Sequence, residues 1–329
     1  MPAEAGPGEG APRPRIAILG TAHPHLPDHL RALAGRAEVC AVHPGRLRPE
    51  TCLRHAGLRG VPEAADVASA PAHAQLALVC SATAEHAELL GAVTRTGTPV
   101  LVEKPLAATA AETAELAHTL TAAGARVTLA MFLRRAPSLC RARELLADGR
   151  LGQLVAGDAW FTHPGLLDGL FSDNGAPWML SPSWGGRGAF ADLGIHLVDL
   201  LRWLCPEARL TVRAASLRPL PAGGPGDAGG TALLEWGSTP VALHAGWSSR
   251  PGGIRLRLEG TRGTLQVHGG ELTPAREDGV LTEAHRPPAA GDATTAFLAD
   301  RAQEDQEGAG VADAVACARV LEAVAEAAV

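Results

Sequence analysis

Residues 15–33 of this 329-residue chain read RIAIL, then GTAHPH, then LPDHLRAL. The first five residues include two isoleucines and a leucine, and the polar turn Gly20–His25 follows them. The apolar residues of Leu26–Leu33 then recur at helical spacing. A strand, a glycine turn and a helix in this order are typical of the first unit of an alternating α/β fold.

The same alternation continues to about residue 130. Further strands are predicted at 38–42, 76–80, 99–103 and 126–131, and helices at 83–90 and about 109–123. Strands alternating with helices predict a parallel sheet with right-handed crossovers. We therefore expect a doubly wound nucleotide-binding domain over residues 15–130. Residues 1–14 are polar and rich in Pro and Gly, which predicts a disordered tail and excludes a signal peptide.

After about residue 130 the pattern changes. A helix is predicted at 138–148, followed by strand segments at 154–162, 209–217, 232–236, 241–248, 254–259 and 264–268. Gly and Pro turns separate these segments, which is typical of an antiparallel sheet. We expect a second α/β domain over 131–329, a surface loop at 219–230, and a C-terminal helix at 311–329 that can pack back on the first domain.

Composition excludes several classes of protein. No apolar run is long enough to span a membrane, and a net charge of −6 with a pI near 6.1 argues against a nucleic-acid or membrane-surface role. The chain has no Tyr, which excludes a dehydrogenase with a Tyr/Lys pair. Its 6 cysteines have no zinc-ligand spacing. We expect a soluble cytoplasmic protein.

The turn after the first strand keeps only the first glycine of the dinucleotide fingerprint G-x-G-x-x-G. Backbone N–H groups at the start of the next helix can still bind a pyrophosphate where side chains are small, as at Ala22. This turn by itself does not exclude an α/β fold that binds no nucleotide. His23, His25 and His29 could suggest a metal site, but no carboxylate or thiolate lies at matching spacing, so no metal is predicted.

Glu103-Lys104-Pro105 follows the predicted fourth strand. Ligands of open parallel sheets bind beyond the carboxyl ends of the strands. Lys104 is the only lysine among 29 Lys and Arg residues, which indicates a position where a guanidinium would not serve. An ammonium is a compact charge with a tunable pKa. The alternative is an ordinary ion pair at the end of a strand.

Asp192, His196 and Asp199 would share one face of a helix over 192–204. A histidine between two carboxylates is the arrangement that a general acid/base needs. The alternative is a charge cluster on the helix surface. The Gly-rich segment 183–189, which contains Arg187, could let a substrate approach the start of this helix.

Taken together, these motifs resemble the Gfo/Idh/MocA oxidoreductases. The resemblance covers nearly the whole chain after residue 14. It is carried by the first turn, Glu103-Lys104-Pro105, a segment with Phe132, Arg134, Arg135 and Pro137, the turn at 149–152, the W-G-G-R-G-A stretch at 184–189 and D-x-G-x-H-x-x-D at 192–199.

The resemblance implies an N-terminal Rossmann domain and a C-terminal α/β domain whose large, mostly antiparallel open sheet supports homodimers or homotetramers. It also implies NAD(P)-dependent oxidation or reduction of sugars, cyclitols and related polyols. By position, Lys104 and His196 would be the catalytic pair, with Asp192 positioning the substrate or the imidazole. Near the nicotinamide ribose it would place Ser81, Ala82, Thr83 and His86.

The second strand ends at Val42-His43-Pro44, without an acid for the ribose 2′-hydroxyl. Arg46 and Arg48 follow and can accommodate a 2′-phosphate, which favours NADP(H) over NAD(H). The predicted cofactor-binding residues are Gly20, Thr21, Ala22, His23, His25, Arg46, Arg48, Ser81, Ala82, Thr83, His86, Glu103 and Lys104.

The predicted reaction is hydride transfer between nicotinamide and a carbinol or keto carbon of a sugar, aminosugar or cyclitol. A composition biased towards Ala, Arg, Gly and Pro suggests a G- and C-rich genome and a role in secondary metabolism. The predicted substrate-binding residues are Trp178, Trp184, Arg187 and Asp199. Two alternatives are a redox-cycling lyase or hydrolase of the same family and a non-catalytic sugar or nucleotide sensor.

Overall fold

The structure is a computed structural model that describes residues 12–48, 55–172, 175–276, 279–300 and 308–329. Most of the predicted N-terminal tail (residues 1–11) and Cys52 lie outside these ranges. Within them, no helix combines the length and the apolar character that crossing a membrane requires.

The first domain contains a five-stranded parallel sheet. Its strands are β1 (Arg15–Leu19), β2 (Glu38–His43), β3 (Leu76–Val79), β4 (Val100–Val102) and β5 (Val127–Leu129), in the order β2-β1-β3-β4-β5. A parallel bridge from Val42 to Glu63 extends the edge beyond β2. The order reverses between β1 and β3, and this switch point is where such sheets bind ligands. The predicted doubly wound parallel sheet is confirmed.

Three helices connect these strands: α1 (Leu26–Leu33), α2 (His86–Thr96) and α3 (Ala110–Ala122). α3 begins with a capping box in which the Thr109 hydroxyl accepts from the Glu112 N–H and the Glu112 carboxylate accepts from the Thr109 N–H. All residues of β3 and β4 are buried. Burial on both faces explains why these strands read as continuous apolar runs instead of alternating patterns.

In the described residues, the second domain contains a nine-stranded sheet and four α-helices. The helices are α4 (Pro137–Ala147), α5 (Ala189–Leu204), α6 (Gly291–Asp300) and α7 (Val311–Glu326). The strands are β6 (Leu154–Thr162), β7 (Leu210–Pro219), β8 (Asp227–Trp236), β9 (Thr239–Gly246), β10 (Gly253–Gly260), β11 (Gly263–His268), β12 (Glu271–Arg276), β13 (Gly279–Val280) and β14 (Glu283–Ala284). Every pairing in it is antiparallel except that of β6 with β9, so the predicted mostly antiparallel sheet is confirmed.

Three features of this domain differ from the prediction. The surface loop predicted at 219–230 is shorter, because β8 begins at Asp227 and pairs with the end of β7. The short strands β12–β14 were not predicted. Helix α6 was also missed, and it packs against α1 of the first domain.

Helix α7 joins the two halves of the chain, since it packs against α3 as well as α5 and β7. A buried ion pair lies beside it. The Arg134 guanidinium donates two hydrogen bonds to the Asp199 carboxylate, at 2.8 and 2.6 Å, and also lies 3.2 Å from Asp313 of α7. These contacts fix α5, which carries Asp192 and His196, against the segment that follows β5.

Removing the Arg134 charge should therefore destabilise the fold. We expect Arg134→Met to lower the free energy of unfolding by about 3–5 kcal/mol, because it leaves the Asp199 carboxylate buried without a partner. Urea unfolding would measure this. The control is Arg213→Met in the exposed Arg213–Glu235 pair, where the loss should be much smaller because water screens an exposed ion pair. Equal losses in the two variants would contradict the expectation.

Candidate active site

The only lysine of the chain is held by an aspartate of the other domain. Lys104 lies just beyond β4, and its Nζ atom lies 2.5 Å from Asp192 Oδ1 and 3.0 Å from the Asp192 carbonyl oxygen. Asp192 belongs to the first turn of α5. The Trp247 indole N–H donates to the other carboxylate oxygen, Asp192 Oδ2, at 2.9 Å. The pair is therefore fixed by three separate segments.

These contacts decide the charge of Asp192. Burial alone would raise the pKa of its carboxyl, but the Lys104 ammonium and the hydrogen bonds from Lys104 and Trp247 outweigh burial and lower that pKa to about 2. Asp192 is thus a carboxylate that holds Lys104. An ammonium has three donors, and Asp192 accepts from two of them, so one remains for another oxygen.

His196 lies one helical turn after Asp192 and is also buried. Its ring packs against the rings of Phe132 and Phe161, with centroids 4.8 and 5.5 Å away. Neither ring nitrogen has a hydrogen-bond partner among the described residues. Burial, and secondarily the Lys104 charge, lower the pKa of His196 well below its usual value. The imidazole is therefore neutral, with one nitrogen able to donate and the other able to accept.

Glu103 receives hydrogen bonds from two histidines. His25 Nδ1 and His29 Nε2 donate to its Oε1 atom at 2.9 and 2.7 Å, and the Lys104 backbone N–H donates to Oε2 at 3.1 Å. The hydroxyl of Thr294 on α6 contacts His29 Nδ1 at 2.6 Å. Burial alone would raise the pKa of the Glu103 carboxyl, but the surrounding imidazoles outweigh it and lower that pKa well below its usual value.

The sequence offered no carboxylate at metal-ligand spacing from these histidines, but in the structure Glu103, which follows β4, lies beside them. Ligand atoms of His23, His25 and Glu103 lie within 4.8 Å of one another, a grouping that could hold a metal ion. However, His23 Nδ1 accepts from the His25 N–H at 3.3 Å. In a neutral ring this places the proton on Nε2, which faces Glu103 at 3.7 Å. A hydrogen bond accounts for the contact of His25 with Glu103, and the longer approach of His23 to Glu103 is electrostatic, so neither contact requires an ion.

The turn after β1 is held by the second domain. Gly20 has a φ of +82°, and a Cβ atom there would lie 2.2 Å from Ser81 Cβ, so only glycine fits. The Thr21 backbone N–H donates to Pro44 O at 3.1 Å. The Trp178 indole N–H donates to the Ala22 carbonyl at 2.9 Å. The predicted cofactor turn therefore forms at the switch point.

The segment after β3 lies against this turn. The Ser81 hydroxyl donates to Ala82 O, and Thr83 packs against Gly185 of the Gly-rich segment. His86 faces elsewhere: its Nδ1 atom lies 3.2 Å from the Leu106 carbonyl, and burial lowers its pKa to about 4. His86 thus supports the loop that follows Lys104.

Both arginines proposed for a 2′-phosphate already face carboxylates. Arg46 Nε lies 3.6 Å from Glu85 Oε1, and an Arg48 guanidinium nitrogen lies 2.5 Å from Glu63 Oε1. Both arginine side chains are more than half exposed. The Arg46 guanidinium also lies over the Trp184 ring, 5.2 Å from its centroid.

The predicted substrate residues separate into two groups. Trp178 and Arg187 line a pocket that also reaches Asp192 and Trp247. Trp184 instead lies under Arg46. Asp199 is a correction: it is fully buried and its carboxylate binds Arg134, so it does not reach a substrate.

Several residues of the site were not predicted as such. Trp247 and Thr294 carried no local sequence signal, since their partners are 55 and 265 residues away in sequence. Phe132 was quoted only for the resemblance, and His29 only as a metal candidate. Glu85 was not singled out at all.

The comparisons with known proteins agree with this geometry. Residues 14–131 match the oxidoreductase family with an NAD-binding Rossmann fold, and residues 139–266 match the GFO/IDH/MocA C-terminal domain. The chain belongs to the Gfo/Idh/MocA oxidoreductase family. Its predicted membership is confirmed.

Curated relatives of this family match the chain in part. A levoglucosan dehydrogenase from Pseudarthrobacter phenanthrenivorans is 28% identical over 44% of this chain and 37% of its own. An inositol 2-dehydrogenase from Saccharopolyspora erythraea is 28% identical over 58% of this chain and 54% of its own. The match thus spans about a third to a half of these relatives' length.

A solved structure shares the whole fold. The oxidoreductase domain protein from Kribbella flavida superposes with a TM-score of 0.80 at 23% identity, over 96% of this chain and 97% of that one. At this identity the likeness shows the fold alone. It covers both domains, so the domain arrangement is shared as well as the nucleotide-binding half.

The Lys104–Asp192 pair predicts a distinct acid sensitivity. The pKa of Asp192 lies below its ordinary 3.8, so its ionised form stabilises the fold above that pH and this stabilisation is lost as the pH falls towards about 2. Urea unfolding between about pH 5 and pH 2 should show wild type losing about 2 kcal/mol more than Asp192→Asn. The exposed control Asp168→Asn should parallel wild type. A parallel loss in Asp192→Asn would contradict the assignment.

The imidazoles around Glu103 predict little affinity for metal. The ring nitrogens of His25 and His29 already bind the Glu103 carboxylate. We therefore expect prolonged EDTA treatment to leave the melting temperature unchanged and equimolar Zn²⁺ to give no saturable heat of binding. Differential scanning calorimetry and titration calorimetry would measure these. Stoichiometric Zn²⁺ binding that disappears in Glu103→Gln would overturn this prediction.

Proposed function

We propose that this protein is an NAD(P)-dependent oxidoreductase that moves a hydride between nicotinamide and a carbinol or keto carbon of a sugar, aminosugar or cyclitol. One observation carries the proposal. Lys104, which Asp192 fixes, and His196, whose two nitrogens have no partner in the described part of the chain, lie close to the switch point of a Rossmann sheet. A hydride-transferring site needs a positioned cation and a proton carrier at such a place.

The residues present fit a dinucleotide. Gly20 makes the tight turn that brings the chain into the switch point, and Ala22 offers little bulk to a pyrophosphate. The unpartnered nitrogens of His196 are buried polar atoms, which proteins normally satisfy with a partner. A bound dinucleotide would supply the hydride chemistry at nicotinamide C4.

The side chains divide the remaining work. The third donor of Lys104 stabilises negative charge on the reacting oxygen of the substrate. In oxidation, the unprotonated nitrogen of neutral His196 takes the hydroxyl proton as the hydride leaves. In reduction, His196 first takes up a proton from solvent, and the imidazolium then returns a proton to that oxygen and produces the hydroxyl. Asp192 orients Lys104. The burial of Lys104 and His196 excludes water and strengthens these interactions.

The choice of dinucleotide is a finer question. Arg46 and Arg48 favour NADP(H) by their sequence position, and they are the reason for that prediction. Glu85 and Glu63 lie against their guanidinium groups, so each positive charge has a negative neighbour. The preference for NADP(H) stays a prediction, and the two nucleotides are compared directly below.

The relatives support the substrate class, since their names specify inositol and levoglucosan. We propose a small polyol or keto-sugar substrate in contact with Trp178 and Arg187. We also propose a homodimer or homotetramer formed through the outer face of the large sheet. Trp160 stacks on His244 on this face, and Leu233 is 45% exposed there.

Substitution of the two central residues tests the proposal. We expect Lys104→Met and His196→Asn to lower kcat by about 10²–10⁴-fold, because each removes charge stabilisation or proton transfer while the fold remains. Turnover would be followed by nucleotide absorbance with inositols, aminocyclitols and keto-sugars. Fluorescence titration with NADH and NADPH should show that nucleotide binding survives. The exposed His118→Asn is the matched control and should act like wild type.

Other outcomes would select the alternatives. Nucleotide that stays bound and cycles between redox states without net turnover would indicate a lyase or hydrolase of the family. A wild-type protein that binds neither nucleotide would overturn the proposal in favour of a sensor.

A further inference from the structure

Glu85 extends a carboxylate from one strand connection to another. It ends the helical turn Thr83–Glu85 after β3, and its side chain is 1% exposed. The carboxylate reaches the residues that follow β2, where Oε1 accepts a hydrogen bond from the Arg46 backbone N–H. A Cβ atom on Gly45 would lie 2.9 Å from that oxygen, so glycine at this position leaves room for the carboxylate.

This location is next to the turn after β1. The Gly20 N–H donates to His43 O at 2.7 Å, and the Thr21 N–H donates to Pro44 O at 3.1 Å. The residues immediately after these two acceptors, Gly45 and Arg46, contact Glu85. In dinucleotide-binding sheets an acid at the end of the second strand binds the ribose 2′-hydroxyl. Here β2 ends in His43, and the acid comes from the β3 connection.

The second carboxylate oxygen of Glu85 differs from Oε1 in its contacts. Oε2 is buried and has no hydrogen-bond partner within the described part of the chain. Buried acceptors are rarely left unpaired. Burial raises the pKa of the Glu85 carboxyl, while the Arg46 N–H and guanidinium oppose that rise. The arrangement is a buried acceptor whose donor must come from outside the described residues.

We propose that Glu85 selects the cofactor: its Oε2 atom accepts a hydrogen bond from the 2′-hydroxyl of the adenosine ribose, so the protein prefers NAD(H) to NADP(H). This inference rests on the proposed function. A 2′-phosphate would bring negative charge to a buried carboxylate, and the neighbouring Arg46 is already engaged by that carboxylate. The position of Glu85 thus favours NAD(H), whereas the sequence positions of Arg46 and Arg48 favour NADP(H).

The first test changes the ligand and leaves the protein intact. Dissociation constants of wild type would be measured by fluorescence for NADH, NADPH and NADH that carries 2′-deoxyadenosine. We expect NADH to bind about tenfold more tightly than either of the others, the effect of one hydrogen bond to a charged group. Equal binding of NADH and its deoxy analogue, or tighter binding of NADPH, would overturn the inference.

The second test changes the carboxylate. In Glu85→Ala the difference between NADH and the deoxy analogue should disappear, and in Glu85→Gln the preference for NADH over NADPH should narrow about tenfold. Glu88→Gln removes a similar charge from the exposed side of α2 and should change neither ratio. Thermal unfolding checks that each variant is folded. An unchanged ratio in folded Glu85→Ala would refute the role of Glu85. Failure of wild type to bind any of the three nucleotides would instead refute the proposed function, and this inference with it.

Discussion

The ion pair between Lys104 and Asp192 is the contact on which the site depends. One partner follows β4 of the first domain and the other begins α5 of the second, so the pair exists only when the two domains are packed together. Both charges are removed from water, which is costly unless each has the other. The indole of Trp247 adds a hydrogen bond to the second carboxylate oxygen and restricts the pair to one geometry.

This pair also explains why the chain uses a lysine here. Two donors of the ammonium bind the carboxylate and the carbonyl of the same residue, Asp192, and the third has no acceptor among the residues that the structure describes. A planar guanidinium with its fixed fork would engage the carboxylate in a bidentate manner, as Arg134 does with Asp199. The Asp192 carboxylate is ionised and bound to Lys104, so a proton carrier would have to be another group. His196 is neutral and buried, and neither of its ring nitrogens has a partner among the described residues, so it is the residue that we propose for that role.

Local patterns predicted the first domain well, because buried parallel strands are continuous apolar runs and the intervening helices are amphipathic. Strand ends and helix spacing also named Lys104, Asp192 and His196 as candidates, and the structure places Lys104 against Asp192. They failed for Asp199, for a geometrical reason. Residues seven apart share a helix face but lie about 10 Å apart along the axis, so Asp192 and Asp199 meet different neighbours. The Thr294–His29–Glu103 chain joins residues far apart in sequence, which no local spacing encodes.

The same reasoning applies to the incomplete glycine fingerprint. The position of its third glycine is His25, which starts α1 and donates to Glu103 beyond β4. The carbonyl of Ala22, at the position of the second, is bound by Trp178 from the other domain. Side chains from distant segments thus hold the turn that glycines hold by close packing elsewhere. Glu85 is a charged example of the same arrangement. It follows β3, and its carboxylate lies beside the residues after β2, a strand that does not end in an acid. A binding site of this kind is defined by which groups meet at the switch point, and the chain can supply them from more than one strand.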